Sequence, residues 1–306
     1  MQTILGSSGV IGRELANSLT QYTNNIRLVS RKPNKVNKID ELFKADLTSA
    51  EQTIKAVEGS EVVYLTAGFQ YDIKIWQTQW PVVMKNVIEA CKNSSSKLVF
   101  FDNVYSLGKV DGWMTEETPI KPDSEKGKVR AKISQMILEE VEKGNLQAII
   151  ARSADFYGPA TPLSFVNIMV FDNFKKGKKA QWLINENKKH SLTYTPDAGK
   201  GTAILGNTDS AYNQVWHLPT NKNALTGKEF INLAAKAMEL KPDYMIVKKW
   251  MVTMLGFFIK IIKESNEMLY QNEFDYLFDS NKFEKAFNFE PTSYEEGIVE
   301  TVNSMK

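Results

Sequence analysis

The chain has 306 residues, of which 42% are apolar and 24% are charged, a composition typical of a globular protein with one large or two closely joined domains. Its 38 lysines and arginines nearly balance 36 acidic residues and are scattered along the sequence, which argues against a nucleic-acid-binding surface. A single cysteine, Cys91, excludes an intrachain disulfide, and with only two histidines we expect no metal site, a small-molecule partner and a cytoplasmic location.

The first half of the sequence alternates short β-branched runs with helical patterns, which is typical of a parallel sheet with crossover helices. We predict six strands there, over residues 3–5, 26–30, 42–44, 62–66, 97–101 and 147–151. Helices are predicted over residues 11–20, 50–57, 80–91 and 128–142, with Pro81 in the first turn of the third. The pattern therefore predicts an α/β fold with a doubly wound parallel sheet.

From Phe156 onward, glycine, proline and aromatic residues interrupt this alternation. We interpret residues 156–306 as mainly a smaller substrate-binding lobe that is interleaved with the first half and forms a cleft with it. The apolar stretch 250–262 is too short to span a bilayer, so no integral membrane segment is expected. It is predicted to form a buried or amphipathic helix, with peripheral membrane contact as the alternative.

A glycine-rich segment directly follows the first predicted strand and opens the first helix. Its glycines, Gly6, Gly9 and Gly12, recur at intervals of three. Glycines at this place let the chain turn sharply and let backbone N–H groups approach a pyrophosphate, which the positive end of the helix dipole also favours. A glycine-rich turn without a ligand is the alternative. The strand and helix on either side favour a dinucleotide site, and we predict that residues 1–155 form a Rossmann domain.

The spacing of these glycines resembles that of the short-chain dehydrogenase/reductase superfamily, in its extended branch. The resemblance covers most of the chain. It places Asp46 and Leu47, after the third strand, near the adenine of a dinucleotide, and Ala67 and Gly68, after the fourth, beside the cofactor. It also implies a homodimer as the assembly.

The end of the second strand indicates which nicotinamide cofactor binds. An acidic residue there would hold the ribose of NAD(H), whereas this chain has Ser30, Arg31 and Lys32. A hydroxyl followed by two cations suits a 2′-phosphate and predicts NADP(H), unless both cations are simply solvated turn residues. The predicted cofactor-binding residues are Gly6, Ser7, Ser8, Gly9, Val10, Ile11, Gly12, Ser30, Arg31, Asp46, Leu47, Ala67, Gly68, Asn103 and Arg130.

The catalytic positions that the resemblance implies are altered in this chain. The extended branch has a Ser or Thr at the end of the fifth strand and a Tyr-x-x-x-Lys pair on the next long helix. Here Asp102 and Asn103 end the strand, and the pair is Lys126 and Arg130, a variation that resembles an atypical subgroup of NAD-dependent epimerases/dehydratases. We interpret Lys126 as an acid or else as a solvated lysine, and Arg130 as a ribose or phosphate ligand. Tyr105 offers another phenol at the same sheet edge, or else packs there.

The candidate substrate contacts are aromatic residues and one histidine: Phe156 and Tyr157 as pocket walls, with Trp182 and His190 from the second lobe. Core packing is the alternative for the aromatic residues, and a surface position for His190. Asp197 is interpreted as a helix N-cap. The sequence thus predicts an NADP(H)-dependent oxidoreductase that acts on a small carbonyl or hydroxyl substrate. A sugar-nucleotide epimerase or dehydratase and a non-catalytic NADP(H)-binding redox sensor stay open as alternatives.

Overall fold

A computed structural model describes residues 1–306, which form two compact units. The first comprises Met1–Ser106, Glu125–Ser153 and Ala198–Leu218, and the second comprises Leu107–Ser124, Ala154–Asp197 and Pro219–Lys306. Segments of the two units alternate along the chain, so each unit is assembled from three separate stretches of sequence.

The regular elements are fifteen strands and eleven helices. The strands are β1 (Gln2–Leu5), β2 (Ile26–Ser30), β3 (Glu41–Lys44), β4 (Val62–Leu65), β5 (Lys97–Asn103), β6 (Trp113–Met114), β7 (Ala148–Ser153), β8 (Asp155–Tyr157), β9 (Ala180–Leu183), β10 (Lys189–His190), β11 (Leu192–Tyr194), β12 (Gln214–His217), β13 (Leu225–Thr226), β14 (Tyr244–Val247) and β15 (Leu277–Phe278). The helices are α1 (Val10–Leu19), α2 (Ala50–Val57), α3 (Ile73–Ser94), α4 (Glu125–Glu142), α5 (Asp172–Lys175), α6 (Thr195–Gly206), α7 (Gly227–Ala237), α8 (Lys249–Gly256), α9 (Lys260–Ser265), α10 (Asn281–Phe287) and α11 (Tyr294–Asn303).

The first unit is built on a seven-stranded sheet in the order β12-β7-β5-β4-β1-β2-β3. All of its strand pairs are parallel. Every residue of β1, β4 and β7 is buried, as expected for central strands covered on both faces. The strand order reverses between β1 and β4, which is where open α/β sheets bind their ligands. The predicted fold class, a doubly wound Rossmann sheet, is confirmed.

The helices of the first unit pack against this sheet and against one another. The neighbours α2, α3 and α4 share a hydrophobic core with the strands, in which Trp80, Val87 and Ile133 are buried. On α6, a Cβ at Gly199 would lie 2.5 Å from the Cβ of Glu14 on α1. This close approach explains the glycine inside a helix, where it otherwise lowers stability.

The third helix starts earlier than predicted. It begins at Ile73 instead of residue 80, because the carboxylate of Asp72 accepts a hydrogen bond from the N–H of Lys74 at 2.9 Å and caps the first turn. Pro81 therefore lies inside α3, and the prediction of a first-turn proline was wrong. The earlier start places Trp76 on α3 as well.

The second unit contains smaller elements. Three two-stranded pairs are parallel, β8 with β11, β9 with β14 and β6 with β15, and β10 pairs with β13 in antiparallel fashion. The main core of this unit is aromatic, with Tyr157, Trp182, Phe230 and Tyr294 buried together. Both α7 and α11 begin with a capping box, which fixes where these two helices start.

Two predictions for the second unit were wrong. Asp197 does not cap α6 but is its third residue, and its carboxylate accepts hydrogen bonds from the N–H and the hydroxyl of Thr292 at 2.7 and 3.1 Å. The stretch 250–262 forms no single helix, because α8 ends at Gly256 and α9 begins at Lys260. In this fold, none of the helices combines the length and the apolar character that a membrane crossing requires.

Candidate cofactor and active site

The chain passes from β1 into α1 through a tight glycine loop. Gly6 has a φ of +94°, and a Cβ at this position would lie 2.4 Å from the backbone of Ala67, which follows β4. At Gly12, a Cβ would lie 2.7 Å from the Cα of Ser7. The fold itself therefore requires two of the three glycines, the first for its backbone conformation and the second for the close approach of the helix.

Gly9 has no such role in the fold. Its φ is −76°, and the nearest atom to a Cβ there would be the carbonyl oxygen of Gly6 at 3.6 Å, an ordinary contact. Gly9 is the N-cap of α1 and provides no side-chain cap, while the N–H groups of the first turn, from Val10 to Gly12, precede any acceptor within the helix. The open space at Gly9 and the uncapped helix end fit the phosphates of a dinucleotide.

The end of β2 is joined to this loop by a pair of hydroxyls. The Ser8 hydroxyl donates to that of Ser30 at 2.8 Å, and Ser30 also accepts from the N–H of Lys32 at 3.2 Å. Arg31 and Lys32 follow Ser30 and are exposed. The strand end beside the glycine loop thus carries a hydroxyl and two cations, and no carboxylate.

The segments after β3 and β4 supply the remaining candidates at this edge of the sheet. Asp46 accepts hydrogen bonds from the N–H and the hydroxyl of Thr48, and these bonds, together with the nearby charge of Arg31, hold its pKa below the usual range. Leu47 is buried, and its carbonyl oxygen accepts from the amide of Asn86 at 2.9 Å. A Cβ at Gly68 would meet nothing within 4 Å, so the chain is open there.

A buried group of charges lies where β5 meets α4. The Asp102 carboxylate pairs with the guanidinium of Arg130 at 2.6 Å and accepts a hydrogen bond from the Ser134 hydroxyl at 3.1 Å. Arg152, on the neighbouring strand β7, has its Nε 3.6 Å from the same carboxylate. One carboxylate therefore lies between two guanidinium groups, at a position where the family resemblance implied a hydroxyl residue.

The two cations predicted for the catalytic positions, Arg130 and Lys126, both contact aromatic rings. Arg130 lies 4.6 Å from the ring centre of Trp80 and 4.7 Å from that of Phe100. The Nζ of Lys126 lies 4.5 Å from the ring centre of Tyr71, and Lys126 is fully buried. The alternative that Lys126 is a solvated lysine is therefore wrong. The ion pair with Asp102, together with the rings of Trp80 and Phe100, fixes the orientation of the Arg130 guanidinium.

Tyr105 belongs to the same aromatic cluster. Its ring stacks on Trp76 with centroids 6.4 Å apart, and Trp76 contacts Tyr71 edge-on at 5.7 Å. The N–H of Tyr105 donates to the side-chain oxygen of Asn103 at 3.1 Å, so Asn103 supports the turn after β5. Tyr71 is not among the residues predicted from the sequence, because the helix that follows it was predicted to begin at residue 80 and not after Asp72.

The four substrate-side candidates lie in the second unit. Tyr157 and Trp182 are buried in its aromatic core, and burial raises the pKa of the Tyr157 phenol well above its ordinary value. His190 is also buried, with its Nε2 2.9 Å from the Asp155 carboxylate, so the alternative of a surface histidine is wrong. Phe156 is only half-buried.

Comparison with known sequences gives one family and a distant relative. The profile described as the NAD dependent epimerase/dehydratase family matches residues 3–214. The 3beta-hydroxysteroid-dehydrogenase/decarboxylase isoform 2 of Arabidopsis thaliana is 26% identical over 162 residues, covering 49% of this chain and 28% of that protein. The chain thus spans well under half the length of this relative.

Several solved structures share the fold over nearly the whole chain. The dTDP-glucose 4,6-dehydratase of Bacillus anthracis, in complex with NAD, is 18% identical with a TM-score of 0.82, covering 99% of this chain and 96% of that one. The UDP-glucose 4-epimerase of Thermus thermophilus, also with NAD, is 17% identical with a TM-score of 0.79, covering 99% and 98%. The UDP-glucuronic acid 4-epimerase of Bacillus cereus, with NAD, is 15% identical with a TM-score of 0.81, covering 100% and 98%.

Proposed function

Because the chain belongs to the NAD-dependent epimerase/dehydratase family, we propose that it binds NADP(H) and acts as an oxidoreductase on a carbonyl or hydroxyl carbon of a small substrate. When bound, the nicotinamide supplies or accepts the hydride. The observation that carries the proposal is the hydroxyl pair Ser8–Ser30, which links an uncapped phosphate loop to a strand end without a carboxylate.

In this proposal each part of the cofactor has its own protein partners. The N–H groups of the loop bind the pyrophosphate, and Gly9 leaves the space for it. Ser30 and Arg31 bind the 2′-phosphate, because a guanidinium offers paired donors to phosphate oxygens and is always charged. The other proposed contacts are Ser7, Val10, Ile11, Asp46, Leu47, Ala67, Gly68 and Asn103.

We assign proton transfer at the substrate oxygen to Lys126. It occupies the position of the family's tyrosine, and its ammonium group lies in a buried aromatic surrounding instead of in water. Arg130, held by Asp102, acts in this scheme as a positioning residue that joins α4 to the end of β5. Tyr105 is the second candidate for proton transfer, and Phe156 is the one substrate-side candidate that we retain as a contact.

A turnover assay with two lysine variants tests this assignment. NADPH oxidation is followed with a panel of aldehydes and ketones, and chromatography of the products is used for sugar nucleotides, whose epimerisation or dehydration consumes no cofactor overall. Sugar nucleotides are included because enzymes of similar fold are named for UDP-glucose and dTDP-glucose. We expect Lys126→Met to lower kcat/KM by about 100-fold, a typical contribution of general acid–base catalysis.

Lys128→Met is the matched control for this assay. Lys128 lies on the same helix but is exposed and paired with Glu125, so its loss is expected to change kcat/KM by less than about twofold. Wild-type turnover by Lys126→Met would contradict the assignment of Lys126. Tight NADPH binding without turnover on any substrate would instead favour the redox sensor.

A further inference from the structure

An exposed apolar segment of the second unit, residues 248–263, has no role in the proposed reaction. We call this segment the apolar tip; it contains ten large apolar residues, four lysines and no acidic residue. Phe257 and Phe258, in the turn between α8 and α9, expose 81% and 86% of their surface. Trp250, Met254 and Ile261 are exposed as well. Large apolar side chains grouped at such exposure mark an interaction surface.

The apolar tip has a packed inner side that holds it in place. Val252 is buried in a small cluster with Val247 and Leu269, and Met251 and Ile262 pack against this cluster. Because these contacts hold one side of the tip against the second unit, the folded chain keeps the Phe257 and Phe258 rings on the other, exposed side.

Two backbone N–H groups of the turn are hydrogen-bonded within the tip itself. The N–H groups of Phe257 and Phe258 donate to the carbonyl oxygens of Met254 and Leu255 at 3.3 and 3.0 Å. A Cβ at Gly256 would lie 3.1 Å from the Cα of Lys263, so the two helices meet closely at this glycine. The turn can therefore leave water without exposing these N–H groups to an apolar medium.

The charges on the tip are all positive. Four exposed lysines flank the apolar side chains: Lys248, Lys249, Lys260 and Lys263. Lys249 lines an open groove together with Trp250 and Phe257, and its Nζ also pairs with Glu273 at 2.8 Å. Glu264 follows the tip directly, so within residues 248–263 the exposed rings have only lysines as charged neighbours in sequence.

We propose that the apolar tip inserts into the surface of a lipid bilayer that contains anionic lipids. Exposed aromatic and aliphatic side chains enter the boundary between headgroups and acyl chains, while the lysine ammonium groups meet the lipid phosphates. With eight residues in α8 and six in α9, the helices lie at the surface and do not cross it. A second copy of the chain is the poorer partner, because a symmetric contact would place the lysines of both copies in one interface.

Vesicle sedimentation of the full chain tests this proposal. We expect the chain to sediment with vesicles of equal parts phosphatidylcholine and phosphatidylglycerol, less with phosphatidylcholine alone, and less at high salt. Phe257→Ser/Phe258→Ser is expected to lower partitioning by at least about tenfold. Lys248→Glu/Lys263→Glu is expected to remove the preference for anionic vesicles. Leu163→Ser, at a residue that is 88% exposed elsewhere in the same unit, is the matched control and should sediment like the wild type.

Sedimentation velocity and melting temperature complete the test. Each variant is compared with the wild type for its melting temperature, and Phe258→Ser alone replaces the double variant if the latter does not fold. The proposal is overturned if the wild-type chain stays in solution with anionic vesicles, or if a folded phenylalanine variant sediments like the wild type. It is also overturned if that variant changes from dimer to monomer without any change in vesicle binding, which would make the tip a contact between copies.

Discussion

Asp102 and Arg130 replace the hydroxyl residue and the lysine that the family resemblance implied, and in the structure the two replacements contact each other. The Nε of Arg130 donates to the Oδ1 of Asp102 at 2.7 Å, and the Nη2 of the same guanidinium lies 2.6 Å from this oxygen. The sequence shows both departures but not their contact, because the two residues are 28 positions apart and only the packing of α4 beside β5 brings them together. The burial of Lys126 against Tyr71 depends on the same packing.

Removal of the Asp102 charge tests whether this ion pair supports the fold. We expect Asp102→Asn to lower the free energy of unfolding by about 3 kcal/mol, because it leaves Arg130 buried without its counter-charge. Urea denaturation followed by circular dichroism measures the change. The exposed ion pair of Lys128 and Glu125 provides the control. Its removal by Glu125→Gln is expected to change the free energy of unfolding by less than about 0.5 kcal/mol. Equal stability of Asp102→Asn and wild type would show that the pair is not structural.

At the scale of elements, local signals predicted the strand–loop–helix unit at the N-terminus but not the start of α3. The glycine loop combines a buried strand with an amphipathic helix, and both patterns are local. For α3, Pro81 predicted a start one residue before it, whereas the actual cap is Asp72, nine residues before Pro81. The added turns carry Trp76, which links Tyr71 to Tyr105. Because the start of α3 was predicted seven residues too late, the sequence did not predict this aromatic cluster beside the candidate site.

The three loop glycines are expected to respond differently to alanine. Gly6→Ala and Gly12→Ala should each lower the free energy of unfolding by about 2 kcal/mol, since the added Cβ meets backbone atoms at 2.4 and 2.7 Å. Gly9→Ala should stay within about 1 kcal/mol of the wild type, because its Cβ meets no atom closely. It should nevertheless weaken NADPH binding by at least about tenfold, because the methyl group would fill the space that we propose for the phosphate.

Denaturation and ligand binding are measured on the same samples for all three variants. Wild-type NADPH affinity in a folded Gly9→Ala would place the phosphates away from the loop. A loss of stability in Gly9→Ala as large as in the other two would show that this glycine serves the fold.

For the whole molecule, the fold class followed from the alternating pattern, whereas the assembly of the two units did not. The seventh strand, β12, comes from the second half of the sequence and pairs with β7 in the first unit. Its four residues, Gln214–His217, include only two apolar side chains, so no local pattern identifies it as a strand. Its place depends on pairing with residues more than sixty positions earlier, which periodicity does not encode.

Calorimetric titration of the full chain with NADPH and with NADH decides whether the glycine loop and Arg31 form an NADP(H) site. We expect NADPH to bind at least about tenfold more tightly, and Arg31→Ala to remove most of this difference, because a charge-assisted bond to the 2′-phosphate contributes about 1.5 kcal/mol. Lys38→Ala, at an exposed lysine farther along the same segment, should leave both affinities unchanged. Equal or tighter binding of NADH by the wild-type chain, or no binding of either nucleotide, would contradict the proposed site.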